Sequence, residues 1–462
     1  ILKFFILFME LKNNKLQVNQ KFNNKKIVII GSGFRALMTA FFCLKYSNDV
    51  SLISNNKNIH GVMSPIKWLG GNFDKGYHFF DGFNENNKNL LENFVGQENL
   101  YNFGYGATTY TNNRIYYDHG IPYWPHKSFY FALDALVQYF FKSFKSEKNN
   151  IKNYNDLLEL YPSNISKILK KACLRNTNLD PEKLSHLVCG FSHFLCHRQT
   201  ILPDFFSNIL KKNNFFNSRI ASRRKTLNLD MISLYPKGKH IGYIAEIMEN
   251  KLKKLGLKFI VSQKTKIFKK DEKISINCDG NSFNTDIIFL TTELDSALNL
   301  FDEKVTEKKN NHYVSQLFYY FSTNKTFSKY QYVHGNDANI HTNRGTNFSL
   351  YGEKTEENES VISAEVPTNL NSELWNNPEK YKDIIWNELK LMKMADKNQK
   401  YINYKIFNLK KTLAIPLVDF EESLHNFKGL LNTKYSNKII LPGIGTFTRN
   451  IFIESLREIF KP

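Results

Sequence analysis

The sequence predicts an α/β fold: a domain built on a parallel sheet, assembled from discontinuous segments of the chain, that carries a second, α+β domain as insertions. Three stretches predict it. Near the start, Ile27–Ile30 is a short β-branched run that passes through Gly31-Ser32-Gly33-Phe34-Arg35-Ala36 into residues 37–46, where Leu37, Phe41 and Leu44 share a helical face. In the middle, a helical segment over 243–255 precedes two more apolar strand-like runs, 258–262 and 286–292. At the end, residues 438–441 lead through Pro442, Gly443, Ile444 and Gly445 into a helix over 451–460, with Asn450 as its expected N-cap.

The first of these stretches carries the clearest chemistry. Strand, glycine turn and helix in succession form the context that a dinucleotide fingerprint requires. Gly31 permits the tight turn, Gly33 has no Cβ and lets a pyrophosphate approach the backbone, and Ala36 lets helix and strand pack closely. The helix N-terminus then offers free N–H groups and a partial positive charge. The next strand, 49–54, ends at Ser54. Folds of this type usually place an acidic residue there to hold ribose hydroxyls; a serine hydroxyl does so more weakly. Gly61 follows, then Gly70, Gly71, Asp74, Gly76 and His78. Glycines beside a histidine and an aspartate suggest backbone lying close to a ligand.

The remaining segments are read more coarsely. Residues 100–125 are aromatic and glycine-rich and end in a proline corner, whereas 127–215 read as mostly helical, punctuated by Pro162, Pro181 and Pro203. Gly256 is a helix C-cap signal, and 266–268 with 273–278 read as antiparallel strands followed by an Asp279-Gly280 turn. Strands are expected near 317–322, 346–351 and 360–366, and a helix over 378–394.

Composition bounds the function. A chain of 462 residues with 42% hydrophobic and 15% aromatic residues has material for two or three packed domains. The formal net charge of +20 is spread along an asparagine-rich chain, with only short clusters such as Arg223-Arg224-Lys225. This argues against nucleic acid as a partner and for a general attraction toward anionic small molecules. Five cysteines, at 43, 173, 189, 196 and 278, are scattered without a C-x-x-C, as in a reduced, cytoplasmic protein. Residues 1–24 read as an N-terminal extension, whose opening apolar run is too short for the ~20 residues that span a bilayer. That run has no small-residue cleavage site, and Met9 could be the true start. No other stretch looks transmembrane, which leaves peripheral membrane contact open. His186, Cys189, His193, Cys196 and His197 have metal-ligand types at helical spacing, but they lie on one apolar segment with no second ligand pair. Buried thiols and capped histidines are the better reading, and no metal is expected.

These segments, in this order, resemble the flavin-containing amine-oxidase superfamily, which includes protoporphyrinogen oxidases, phytoene desaturases and UDP-galactopyranose mutases. The resemblance implies a Rossmann-like FAD-binding domain assembled from residues 25–115, 220–312 and 430–462, with an inserted α+β substrate domain of residues 116–219 and 313–429. Gly31, Gly33 and Ala36, with Phe34 between them, match the family's pyrophosphate motif. Gly61 is what remains of its second glycine motif, and Asp74, Gly76 and His78 match a D-x-G-x-H pattern. The backbone of Lys264 falls where the family contacts adenine, and Ser54 where it contacts ribose. Gly443 and Gly445 match the closing flavin loop, and Glu454 falls where the mutase branch has an acidic residue. If the closing helix points at the flavin, its dipole would favour negative charge at the pyrimidine edge. His78 is the candidate polar group at the flavin ring. Arg344 resembles the mutase arginine that reaches a sugar-nucleotide diphosphate, which a guanidinium fork suits. Arg449 is a weaker second candidate.

Three functions follow from this. The first is an FAD-dependent oxidoreductase that takes hydride from a small-molecule substrate and passes it to oxygen or another acceptor. The second is a mutase-like flavoenzyme acting on a nucleotide sugar in surface polysaccharide biosynthesis. The third is a non-catalytic nucleotide-binding protein, suggested by Ser54 in place of an acid.

Overall fold

The computed structural model describes residues 21–103, 108–116 apart from 112, 151–190 apart from 160, 232–302 apart from 271, 309–444 apart from 336 and 338, and 448–461, with a few isolated residues between 130 and 213. Five parallel strands form the organising sheet, in the order Lys258–Val261, Val50–Ser54, Ile27–Ile30, Ile287–Leu290, Ile439–Ile440. They come from three distant parts of the chain, as the sequence predicts. Their continuous apolar runs follow from burial on both faces. Ile27, Ile29 and Leu52 enter one core with the helices Gly33–Cys43, Gly242–Lys254 and Arg449–Ile459. Val28, Ile30 and Ile53 enter another with Ile267, Ile274 and Ile276 of a three-stranded antiparallel sheet and with Phe420, Phe427 and Leu431 of the helix Phe420–Tyr435. The side-chain period of two sends alternate residues to opposite layers.

A second sheet of seven strands lies against the first core. Its order is Tyr404–Pro416, Asn311–Thr323, Ser360–Thr368, Arg344–Asn347, Tyr332–Gly335, Thr109–Thr111, Arg114–Tyr116. Leu317, Tyr319, Phe321, Ile362 and Ala364 pack on one face against Ile385, Trp386 and Leu389 of the helix Lys382–Leu391. Phe318, Tyr320 and Tyr332 point the other way, into the core that holds the opening helix. The two halves therefore meet across an aromatic layer.

Several elements depart from the sequence reading. The expected boundary at 115/116 falls within the strand Arg114–Tyr116, which with Thr109–Thr111 joins the seven-stranded sheet. The boundary at 312/313 falls within Asn311–Thr323, and that at 429/430 within the helix Phe420–Tyr435. The expected strand near 346–351 is Arg344–Asn347 followed by a 3-10 turn, and the hairpin after Thr265 gains a third strand, Asn281–Thr285. The closing helix starts at Arg449 and its cap is Thr448, whose hydroxyl accepts the Ile451 N–H at 3.2 Å; Asn450 instead turns toward the helix Glu85–Val95. Much of 116–220, including His193, Cys196 and His197, lies outside the described residues.

Candidate functional site

The glycine turn is built as its sequence requires. Gly31 has φ +145°, its N–H donates to the Ile53 carbonyl at 3.0 Å, and a Cβ there would lie 2.2 Å from Thr291 Oγ1. Only glycine fits where the turn crosses the neighbouring strand. Gly33 (φ +73°) donates to the Ile59 carbonyl at 2.5 Å and faces Gly61 (φ +61°), where a Cβ would sit 3.3 Å from the Gly33 Cα. The two glycines thus bring two backbone segments together over the start of the opening helix. Ser32, its N-cap, is extended, makes no side-chain cap bond, and is followed by no acid in the first turn. Ala36 is fully buried and Phe34 nearly so.

Arginines gather beside this helix end. Arg35 donates to the Gly443 carbonyl at 3.3 Å and lies over the Phe452 ring, so it ties the opening turn to the closing loop. Arg449 donates to the Phe79 carbonyl at 2.7 Å and lies over Phe34 and Phe80. Burial lowers the pKa of both, and their mutual repulsion lowers Arg35 further while Glu293 opposes it. From sequence, Arg35 has no assigned role and Arg449 a minor one; an arginine inside the glycine turn is the available signal.

The remaining positions matched to the family are more fully engaged by the protein itself. Ser54 Oγ accepts the Asn56 N–H at 3.2 Å. The Lys264 N–H donates to Asp279 Oδ1 at 2.8 Å and its carbonyl accepts the Asp279 N–H at 3.0 Å. Glu454 accepts from Asn87 Nδ2 at 2.6 Å and Asn84 Nδ2 at 3.0 Å, which joins the closing helix to Glu85–Val95. Gly443 has φ +63° and its carbonyl receives Arg35; Gly445 lies outside the described residues.

His78 and Arg344 belong to the aromatic layer between the halves. Burial pushes His78 down to about 4, with Arg449 and Arg344 adding to the effect, so it is a neutral imidazole near pH 7. Arg344 donates from Nε and Nη2 to the two oxygens of Glu365, each at 2.6 Å, and lies over the Tyr77 ring. Arg344 and Glu365 are register partners on adjacent strands. Gly76 (φ +84°) has no room for a Cβ because the Glu365 carboxyl would lie 2.5 Å away.

Asp74 is 1% exposed and accepts the Tyr235 hydroxyl at 2.7 Å and the Ile241 N–H at 2.8 Å. Burial raises it to about 7 against the pull of those two bonds. Tyr320 donates to the Asp74 carbonyl at 2.7 Å, and the buried Tyr351 hydroxyl has no hydrogen-bond partner among the described residues. Tyr351 packs edge-on against Tyr77, Tyr235 and Phe103. Sequence reasoning assigns no role to Glu365, Tyr235, Tyr320 or Tyr351. A lone glutamate in the apolar run 360–366 is the signal for the first; the tyrosines come from separate segments and carry none.

No group of three or more potential metal ligands occurs among the described residues, and none of their helices is long and apolar enough to cross a membrane. Cys43, Cys173 and Cys278 are buried and in no disulfide among the described residues, and Cys173 Sγ contacts Thr177 Oγ1 and the Leu179 carbonyl, each at 3.8 Å.

The fold is shared with solved structures of proteins of several activities. A reduced UDP-galactopyranose mutase matches with a TM-score of 0.71 at 13% identity, over 94% of this chain and 95% of that one. A protein assigned as a protoporphyrinogen oxidase from Exiguobacterium sp. matches with a TM-score of 0.68 at 14% identity, over 95% and 98%. The cyclohexylamine oxidase from Brevibacterium oxydans matches with a TM-score of 0.58 at 9% identity, over 94% and 97%. No protein-family model matches the chain, and no curated protein matches it by sequence.

Proposed function

We propose that the protein is an FAD-dependent oxidoreductase of the amine-oxidase type, acting on a small-molecule substrate. The observation that carries this reading is the backbone cradle of Gly31, Gly33 and Gly61 at the N-terminus of a buried helix, between parallel strands, where the N-cap Ser32 makes no side-chain cap bond although the Gly33 N–H is already taken by the Ile59 carbonyl. It suits a pyrophosphate: the positions that approach it have no Cβ, the helix end is electropositive, and Arg35 and Arg449 bring positive charge beside it. In this reading Gly31, Gly33, Phe34, Ala36 and Gly61 hold the pyrophosphate, and Gly76, Gly443 and Glu454 flank the flavin. The adenosine end fits less closely. Ser54 and the Lys264 backbone already have protein partners, so they would hold ribose and adenine only by sharing or exchanging those bonds. The pyrophosphate end therefore supplies most of the grip.

Bound flavin would supply the hydride-accepting chemistry. The chain's own residues set the conditions around it. Neutral His78 engages the Lys75 backbone through its ring N–H and leaves one acceptor nitrogen near pH 7. The aromatic layer of Tyr77, Tyr332, Tyr351 and Phe103 excludes water from the junction between the two halves. Scattered cysteines that form no disulfide among the described residues suit a reducing compartment, and a cytoplasmic location is part of this proposal.

A mutase-like reaction on a nucleotide sugar is the second reading. It is favoured by the 0.71 match to UDP-galactopyranose mutase and by Arg344, whose Nη1 makes no hydrogen bond among the described residues. Anaerobic titration separates the two. An oxidoreductase substrate bleaches the flavin band stoichiometrically. A mutase substrate leaves oxidised flavin unreduced but perturbs the spectrum of the dithionite-reduced protein, with UDP-hexoses as the probe. Failure of both an amine panel and UDP-hexoses to alter a flavin spectrum would overturn both readings.

A further inference from the structure

We infer that Glu365 is a positioning residue for both candidate catalytic side chains: one buried carboxylate aims Arg344 and fixes the backbone from which His78 projects. The inference rests on the reading that His78 and Arg344 face the reacting ligand. The carboxylate is 3% exposed and its two oxygens receive four donors. Oε1 accepts Arg344 Nε at 2.6 Å and the Tyr77 N–H at 2.9 Å. Oε2 accepts Arg344 Nη2 at 2.6 Å and Gln316 Nε2 at 3.1 Å. Strand register already places Arg344 opposite Glu365, so the fork–fork pairing is prepared by the sheet.

The contact on the other side is what makes this more than a structural ion pair. Gly76 and Tyr77 are not part of the seven-stranded sheet; they lead from the parallel-sheet half to His78. The Tyr77 N–H is held by Glu365, and Gly76 packs on the same carboxyl so closely that no other residue fits. Tyr320 clamps the Asp74 carbonyl two residues earlier. His78 is therefore located relative to the seven-stranded sheet through Glu365, while Arg344 is left with Nη1 as its unbonded edge. Burial raises the Glu365 pKa, but Arg344 and the Tyr77 N–H outweigh it and hold the carboxyl below its ordinary value, so it is ionised at neutral pH.

The test compares full-length wild type with Glu365→Gln, with the Arg344→Glu/Glu365→Arg exchange and with Gln316→Leu. The readout is the ring-carbon NMR resonance of His78, assigned by its loss in His78→Asn. Glu365→Gln keeps the volume but turns one acceptor into a donor facing donors, and is expected to shift the His78 resonance. The exchange restores the ion pair but not the acceptor for the Tyr77 N–H, so it recovers thermal stability while the His78 resonance stays displaced. Gln316→Leu, which keeps the ion pair, shifts the resonance in the same direction by less. An unmoved His78 resonance in folded Glu365→Gln overturns the proposal, as does an exchange variant that restores it fully. If Glu365→Gln does not fold, an unmoved resonance in Gln316→Leu overturns it. In protein that carries flavin, the visible band is expected to shift alike in Glu365→Gln, His78→Asn and their double variant. A colourless protein would remove the flavin reading and leave the His78 measurement standing as the test of Glu365.

Discussion

Asp74→Asn isolates the energetic effect of one buried carboxyl. Asp74 is shielded from water, accepts two hydrogen bonds and has no hydrogen-bonded cation among the described residues. Burial lifts it from an ordinary value of 3.8 to about 7. Between those values the folded chain keeps a proton that the unfolded chain has released. Folding stability therefore falls as pH rises through this window, by about 1.4 kcal/mol per pH unit. Over roughly three units the wild type loses about 4 kcal/mol relative to a variant that cannot ionise, an order-of-magnitude figure. Asparagine stands in for the protonated acid. His78 and His240, both pushed down to about 4 mainly by burial, titrate in both proteins and cancel in the difference. The assay is urea unfolding of both proteins in parallel across this pH window, followed by circular dichroism. Asp74→Asn should gain on the wild type steadily from acid to neutral pH and level off above it. A stability difference that stays flat across the window would refute the placement of Asp74 as a neutral buried acid.

Other substitutions test the two ends of the site. Gly31→Ala forces a Cβ to 2.2 Å from Thr291 Oγ1 at a φ of +145°, and should cost about 1–3 kcal/mol of stability and lower FAD occupancy, measured by urea midpoint and by absorbance. Asn87 is fully buried and bonds Asn450, Glu454 and Arg457 of the closing helix; Asn87→Ala should lower stability by about 1–3 kcal/mol, and hydrogen exchange should speed up in that helix before the rest of the core.

The parallel sheet is legible in the sequence because its strands are buried on both faces and so read as unbroken apolar runs, in Ile27–Ile30 and Ile287–Leu290 above all. The glycine turn is legible because Gly31 and Gly33 need conformations that few residues adopt. Some elements with one wet face are not, although the helix Gly242–Lys254 and the strand Thr265–Lys270 are. The helix Glu85–Val95 is asparagine-rich and buries only Asn87, Leu91, Phe94 and Val95, and the strand Tyr404–Pro416 has few buried positions. The site is legible one residue at a time, not as an arrangement. His78 and Arg344 stand out by type, but the carboxylate that joins them depends on strand register and on a contact between segments almost 290 residues apart. Asn450 has the chemistry of a cap, yet Thr448, two residues earlier, competes for the same role and wins, while Asn450 is drawn to Asn87.

The cofactor claim has one direct measurement. The protein is purified without added flavin, its visible spectrum is recorded, and the bound compound is released by heat and identified by chromatography. One FAD per chain is predicted, retained because the cradle at Gly31, Gly33 and Gly61 grips the pyrophosphate. A colourless protein that takes up no FAD on incubation with it would contradict the account.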